Sequence, residues 1–185
     1  MRTAGMAVAL LLWAVGVLAD DAPAWSMLGE GRAVLLLRHA TAPGYGDPPG
    51  FVLEDCSTQR NLDQVGRLQA QRWGALLREK GVSDPKVFSS RWCRALETAQ
   101  QMGLASVEPL PALDSFFAEP GREAAQTAAL RQRLDSLPAA LPVVLVTHQV
   151  NITALTGVFP GSGEGLILAL PLGDPPRVLA RIAPP

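Results

Sequence analysis

The chain has 185 residues, with 16 Lys or Arg against 17 Asp or Glu and a formal net charge of −1. No basic run stands out, which argues against nucleic acid as a partner. The length suits one domain around a single core, with little room for a second.

The first element in chain order is a leader. Arg2 precedes an apolar run over 6–18, and Val17-Leu18-Ala19 stands before Asp20-Asp21, the layout of a secretory signal peptide with a small-residue cleavage site. A retained anchor is the alternative, but the run falls well short of the ~20 apolar residues that span a bilayer. We therefore expect residues 1–19 to be removed, with Ala22 and Ala24 as other places for the cut. The domain 20–185 is then periplasmic or secreted, with no stable membrane insertion. Removing 19 of 185 residues leaves 166, and losing Arg2 leaves 15 basic residues against 17 acidic ones, a charge of about −2.

The apolar run 33–37 reads as a buried strand that ends in Arg38-His39. Residues 41–57 follow, rich in Gly and Pro and too irregular for an ordinary strand-to-helix connection, so we place this loop beside the site. Tyr45, Asp47 and Phe51 on it are expected to contribute to substrate contact. Gly44, Gly46 and Gly50 lack the strand-turn-helix setting of a dinucleotide loop. Cys56 and Cys93 are the two cysteines. Export and an even count favour a disulfide between them, two isolated thiols being the alternative.

Asn61 with Gln64 has the form of a capping box, and Leu62, Val65, Leu68, Leu76 and Leu77 supply the apolar face of a helix ended by Gly81. A strand at 87–88 leads into Ser89-Ser90-Arg91-Trp92-Cys93-Arg94, with a helix expected over 91–102 and closed by Gly103. Another helix is expected over 123–137, where Leu130, Leu134 and Leu137 share a face and Pro138 stops it. The strand 143–147 ends at His148, where a short helix begins. A strand at 166–170 and a last one at 177–182, antiparallel at an edge, complete the order. Ser162-Gly163-Glu164-Gly165 reads as a turn from which Glu164 can line the crevice. Trp25, Trp73 and Trp92 read as packing groups. Strands alternating with helices imply an α/β fold, a three-layer αβα sandwich with a mostly parallel sheet.

Both histidines stand at the ends of apolar strands, where ligands of open α/β sheets bind. Arg38 and Arg94 arrive at the same edge, and guanidinium groups match phosphate oxygens bidentately. Neutral imidazole attacks a phosphate ester near pH 7, dividing one hard displacement into two through a phosphohistidine. Fixed cations must hold the charge on the phosphoryl oxygens, a task for Arg38, Arg94 and His148. Arg91 can join them or stay solvated at the helix start. Zinc is the rival, but Cys-x-x-Cys, His-x-x-x-His and His-Glu-x-x-His are all missing from the sequence.

Four blocks together resemble the histidine phosphatase superfamily, which includes phosphoglycerate mutases and the small bacterial phosphohistidine phosphatases called SixA. They are Arg38-His39-Ala40, Leu62 through Gly66 to Gln69-Ala70, Ser89 through Arg94-Ala95 to Thr98-Ala99, and Val146-Thr147-His148-Gln149 with Ile152. The resemblance covers most of 33–170. It implies a phosphoglycerate mutase-like fold and a phosphatase that works without cofactor or metal on a small phosphorylated substrate or a phosphoprotein. His39 is the implied nucleophile, and Arg38, Arg94 and His148 the implied phosphate ligands. Many members place a Glu two residues after a Leu as the acid. Leu113-Asp114-Ser115 has Ser there, which leaves Asp114 first and Glu119 second for that role. Gln149 replaces the usual Gly. The chain lacks the long insertions of the mutases, which points to a phosphatase. The alternative is an inactive module of the same fold that binds a phosphorylated ligand.

Overall fold

The computed structural model describes residues 21–82, 84–137 and 140–185. The expected leader at 1–19 and Pro138 as a helix stop lie outside the described residues. Six strands form one sheet in the order β3-β2-β4-β1-β5-β6. Strand β1 (Ala33–Arg38) is central, flanked by β4 (Val143–Thr147) in parallel and by β5 (Gly165–Ala169) in antiparallel sense. Every residue of β4 and β5 is buried, as the central strands of a sheet covered on both faces must be.

Side-chain alternation along β1 divides the core in two. Ala33, Leu35 and Leu37 face Trp25 and Leu28 of α1 (Ala22–Gly29), Trp73 and Leu77 of α2 (Gln64–Glu79), and Ala95 and Ala99 of α3 (Cys93–Gln101). Val34 and Leu36 face Leu130 and Leu134 of α4 (Glu123–Asp135) and Ile152 and Leu155 of α5 (Gln149–Thr156). Helices cover both faces, giving the three-layer αβα sandwich. Truncating a fully buried side chain such as Leu36 to Ala costs about 2–5 kcal/mol in such a core.

Several sequence expectations need correction. The cap of α2 is Asp63, whose carboxylate accepts from the Gly66 N–H at 2.8 Å. A charged acceptor suits the positive helix start. Asn61 instead donates its side-chain amide to the carbonyls of Cys56 and Gln59. The buried face of α2 is Gly66, Ala70, Trp73, Gly74 and Leu77, while Val65 and Leu68 point outward. Helix α3 begins at Cys93, two residues later than expected, because Arg91 and Trp92 turn toward partners around the site. Helix α4 ends at Asp135 instead of 137.

The reversed strand is β5, and β6 (Val178–Ile182) pairs antiparallel with it at the edge. The eight residues of α5 rise only about 12 Å. Residues 157–164 then bring the chain back to the edge where β4 ended, so β5 starts beside the site and runs away from it. Strand β3 (Val107–Pro109), paired with β2 (Lys86–Ser89), and helix α1 were not anticipated.

Register sets the site. Arg38 pairs with Thr147 across β1 and β4, and Ser89 pairs with Val146 across β2 and β4. One residue further along each strand, His39, His148 and Ser90 leave the sheet at one edge.

Candidate active site

The His39 backbone is pinned on both sides, its N–H donating to the Thr147 carbonyl at 2.9 Å and its carbonyl accepting from the Gly163 N–H at 3.0 Å. Its ring is 2 % exposed, with Nδ1 2.8 Å from the Ala40 carbonyl. A carbonyl only accepts, so Nδ1 carries the proton and Nε2 holds a free lone pair. That lone pair meets Nε of Arg94 at 3.3 Å. Burial first, and the Arg94 charge second, hold the imidazole neutral well below its ordinary pKa.

His148 faces His39 with ring centroids 5.4 Å apart and planes at 64°. Nη2 of Arg94 lies 3.5 Å from Nδ1 of His148, at the limit of a hydrogen bond, and this nitrogen faces a group that only donates. Nε2–H then donates to Oγ of Ser90 at 2.8 Å, and Ser90 donates on to Oδ1 of Asp114 at 3.3 Å. Burial, followed by the charge of Arg94 and the nearness of His39, also pushes the His148 pKa well down.

Arg94 is 3 % exposed and stands between the two rings. Its third edge, Nη1, donates to Oδ1 of Asp47 at 2.7 Å. Arg38 is half-buried; Nη1 donates to the Pro160 carbonyl at 2.9 Å, while the buried Nε has no hydrogen-bond partner among the described residues. A buried N–H without an acceptor is rare, and here it belongs to a side chain on the wall of the cavity that both histidines line. Burial lowers the pKa of Arg38, Arg60 and Arg94 alike, and all three remain cations at neutral pH.

His39, His148, Arg38 and Arg94 all line one cavity of about 430 Å3. Its other walls come from the loop after β1, including Tyr45, Asp47 and Phe51, and from 115–119. Tyr45 meets Phe117 across the mouth, ring centroids 5.1 Å apart, and Phe51 packs on Trp92 at 5.7 Å. The loop is tied down by the Cys56–Cys93 disulfide, Cα atoms 5.7 Å apart, so the first residue of α3 and the loop share an anchor one residue from Arg94.

Asp114, the first choice for the acid, does not reach the cavity. Its carboxylate is fully buried, gripped by Arg91 through Nε (2.8 Å), Nη2 (2.6 Å) and the backbone N–H (2.9 Å), besides Ser90. Shut away from the cavity, this carboxylate orients Ser90 and, through it, His148. Arg91 is likewise spent on Asp114 and is absent from the cavity wall. Glu119 does line the cavity, but at the rim, with its side chain 69 % exposed. Glu164 accepts from Arg181 and from the Gly161 N–H, which fixes the turn before β5 away from the cavity wall. Gln149 lines the cavity with its amide donating to Thr153.

Arg60 and Ser90 were not anticipated. Arg60 sits on the cavity wall and donates to the carbonyls of Gly46 and Ala42, and its backbone N–H donates to Asp47. Its one sequence signal was a basic residue two positions before the second motif block. Among the described residues, no group of three or more His, Cys, Asp or Glu converges as metal ligands would. No described helix is long and apolar enough to cross a membrane.

No family model matches this chain, and no curated protein matches it. Solved structures do. The protein histidine phosphatase SixA complexed with tungstate is 18% identical over 82% of this chain and 97% of its own, with a TM-score of 0.57. A putative phosphohistidine phosphatase SixA from Agrobacterium tumefaciens is 19% identical over 84% and 99%, TM-score 0.56. The mycobacterial glucosyl-3-phosphoglycerate phosphatase is 19% identical over 80% and 96%, TM-score 0.56. These are histidine phosphatase superfamily proteins, and at such identities the likeness is one of fold. The chain has the phosphoglycerate mutase-like fold of that superfamily, with two histidines and two arginines gathered at the carboxyl edge of its sheet.

Proposed function

We propose that this chain is a phosphatase of the histidine phosphatase superfamily that hydrolyses a phosphomonoester or phosphohistidine through a phosphohistidine on Nε2 of His39. The observation that carries this reading is a neutral imidazole, its tautomer fixed by Ala40, whose lone pair faces a buried guanidinium with a second imidazole 5.4 Å away. In-line displacement needs a nucleophile and preorganised positive charge. His39 attacks, and Arg38, Arg94 and His148 receive the phosphoryl oxygens. When Nε2 takes the phosphoryl group the ring becomes cationic, and the Ala40 carbonyl stabilises its Nδ1–H. The charge is supplied by side chains, so the reaction needs no metal. The structural neighbours named as phosphatases, one of them holding tungstate, support this chemistry.

The leader layout supports an exported enzyme, periplasmic or secreted, with residues 1–19 removed. Its partner is a small phosphorylated substrate or a phosphoprotein.

The test is trapping. Incubation of the domain with a labelled aryl phosphate in excess chelator should give an acid-labile, base-stable phosphoenzyme that His39→Ala abolishes. Turnover that survives the substitution, or that stops with the chelator, rejects the mechanism. Binding of vanadate with no phosphoenzyme at all would identify the inactive binding module instead.

A further inference from the structure

Four groups seat and attack the phosphate, but none of them protonates the departing oxygen. We propose that Asp47 is the catalytic acid of this site and, in the second half-reaction, its base. The assignment rests on the phosphohistidine mechanism above.

Among the described carboxylates that line the cavity, Asp47 is the one bonded to the guanidinium that reaches both histidines. Arg94 presents Nε to His39, Nη2 to His148 and Nη1 to Asp47, the last at 2.7 Å. A phosphoryl group seated against His39 and Arg94 therefore lies beside this carboxylate. Its rivals are placed differently. Asp114 is enclosed by Arg91 and Ser90 behind His148, and Glu119 is 69 % exposed at the rim, whereas the Asp47 side chain is 10 % exposed.

The remaining partners of Asp47 fix its place. Trp92 Nε1 donates to Oδ2 at 3.1 Å and the Arg60 backbone N–H donates to Oδ1 at 3.2 Å. These two contacts keep the carboxyl aimed into the cleft when Arg94 turns to the phosphate. Gly46 and Gly50, both at positive φ, bracket Asp47 and make the turns that bring it to the cavity wall.

The proton arrives with the monoanionic ester, which passes it to Asp47 as Arg94 turns to the phosphate. The Nε2 lone pair of His39 then forms the N–P bond as the P–O bond to the leaving group breaks, and the Asp47 proton passes to the departing oxygen. Asp47 is left as a carboxylate beside the phosphohistidine. A water oxygen next bonds phosphorus while giving a proton to Asp47, and the N–P bond breaks with its electron pair returning to Nε2. The sum is ester and water to alcohol and phosphate.

Two esters separate this role from positioning. The para-nitrophenolate group leaves unprotonated, whereas the alkoxide of ethyl phosphate needs a proton. For Asp47→Asn we expect kcat on ethyl phosphate to fall by about 10²–10⁴-fold, the usual contribution of general acid catalysis, and kcat on para-nitrophenyl phosphate by less than about tenfold. Vanadate should bind this variant at least as tightly as wild type, since a competing negative charge on Arg94 is removed. Asp47→Glu, which retains a carboxyl, should recover most of the ethyl phosphate rate, and Glu119→Gln should keep the wild-type ratio of the two esters. Equal losses on both esters in Asp47→Asn, no recovery in Asp47→Glu, or the selective loss appearing in Glu119→Gln each overturn the assignment. Absence of a base-stable phosphoenzyme in wild type is a separate result, which rejects the phosphohistidine mechanism itself.

Discussion

Gly66 of α2 lies so close to Thr41 that a Cβ on it would overlap the Thr41 carbonyl oxygen. The motif glycine of the second block thereby lets α2 press against the strip of chain that leaves His39. Gly66→Ala must move the helix or this strip. Overpacking of this kind costs about 1–3 kcal/mol, and we expect both a lower urea midpoint and a fall in kcat. A variant with unchanged stability and turnover would show that the close approach has no consequence.

Arg94 makes three directed contacts with one planar group. Lysine keeps the charge but cannot meet His39, His148 and a phosphate oxygen together. Arg94→Lys should lose about 10²-fold or more in kcat/KM, the scale of a missing oxyanion donor. Steady-state kinetics on para-nitrophenyl phosphate would reveal it, and a loss below about tenfold would mean that charge alone suffices.

Both imidazoles have folded-state pKa values well below the ordinary one. Below about pH 6.5 the unfolded chain therefore binds protons that the native protein refuses. Stability is fully present above that pH and declines as pH falls toward the folded values, by up to about 1.4 kcal/mol per pH unit for each ring. Urea unfolding at about pH 7.5 and 5.5 measures the slope that this linkage requires. Equal stability at both would mean that the rings are not held neutral.

The Cys56–Cys93 bond closes a loop with a sequence separation of 37. In the chain-entropy model such a crosslink contributes about 4 kcal/mol. Replacing both cysteines by Ser should lower stability toward that amount and loosen the loop that carries Asp47. Denaturant titration, with kcat measured in parallel, would register both effects.

The architecture was legible where burial is strongest. The apolar runs of β1 and β4 announce central strands, and their ends deliver His39 and His148. Much else depended on tertiary context. Strand β3 has three residues, ends in Pro109 and is mostly exposed, so it exists because β2 offers an edge. Only Ala19, Asp20 and Asp21 separate helix α1 from the apolar leader run, and no polar periodicity marks the helix in sequence. On α2, Val65 and Leu68 look like core by residue type, but small residues lie underneath because the helix sits close to Thr41 and Met102. In the site, strand ends fixed the histidines, while Arg60 and Ser90 act through contacts made across long sequence separations. Asp114 stands one residue short of the place where many family members carry the acid, and it faces away from the cavity because Arg91, far earlier in the chain, claims both its oxygens.

Arg38 and Arg60 are steadied by peptide carbonyls, those of Pro160, Ala42 and Gly46. Among the described residues, Asp47 is the one carboxylate bonded directly to any of the three cleft guanidinium groups. Peptide carbonyls cancel none of this charge, so in a molecule of net charge −1 the cavity carries three guanidinium groups against two carboxylates, Asp47 and Glu119, an excess of positive charge. Dianions should be drawn to it from solution faster than neutral analogues, and the advantage should shrink as salt shortens the Debye length from about 30 Å at 0.01 M to about 8 Å at 0.15 M.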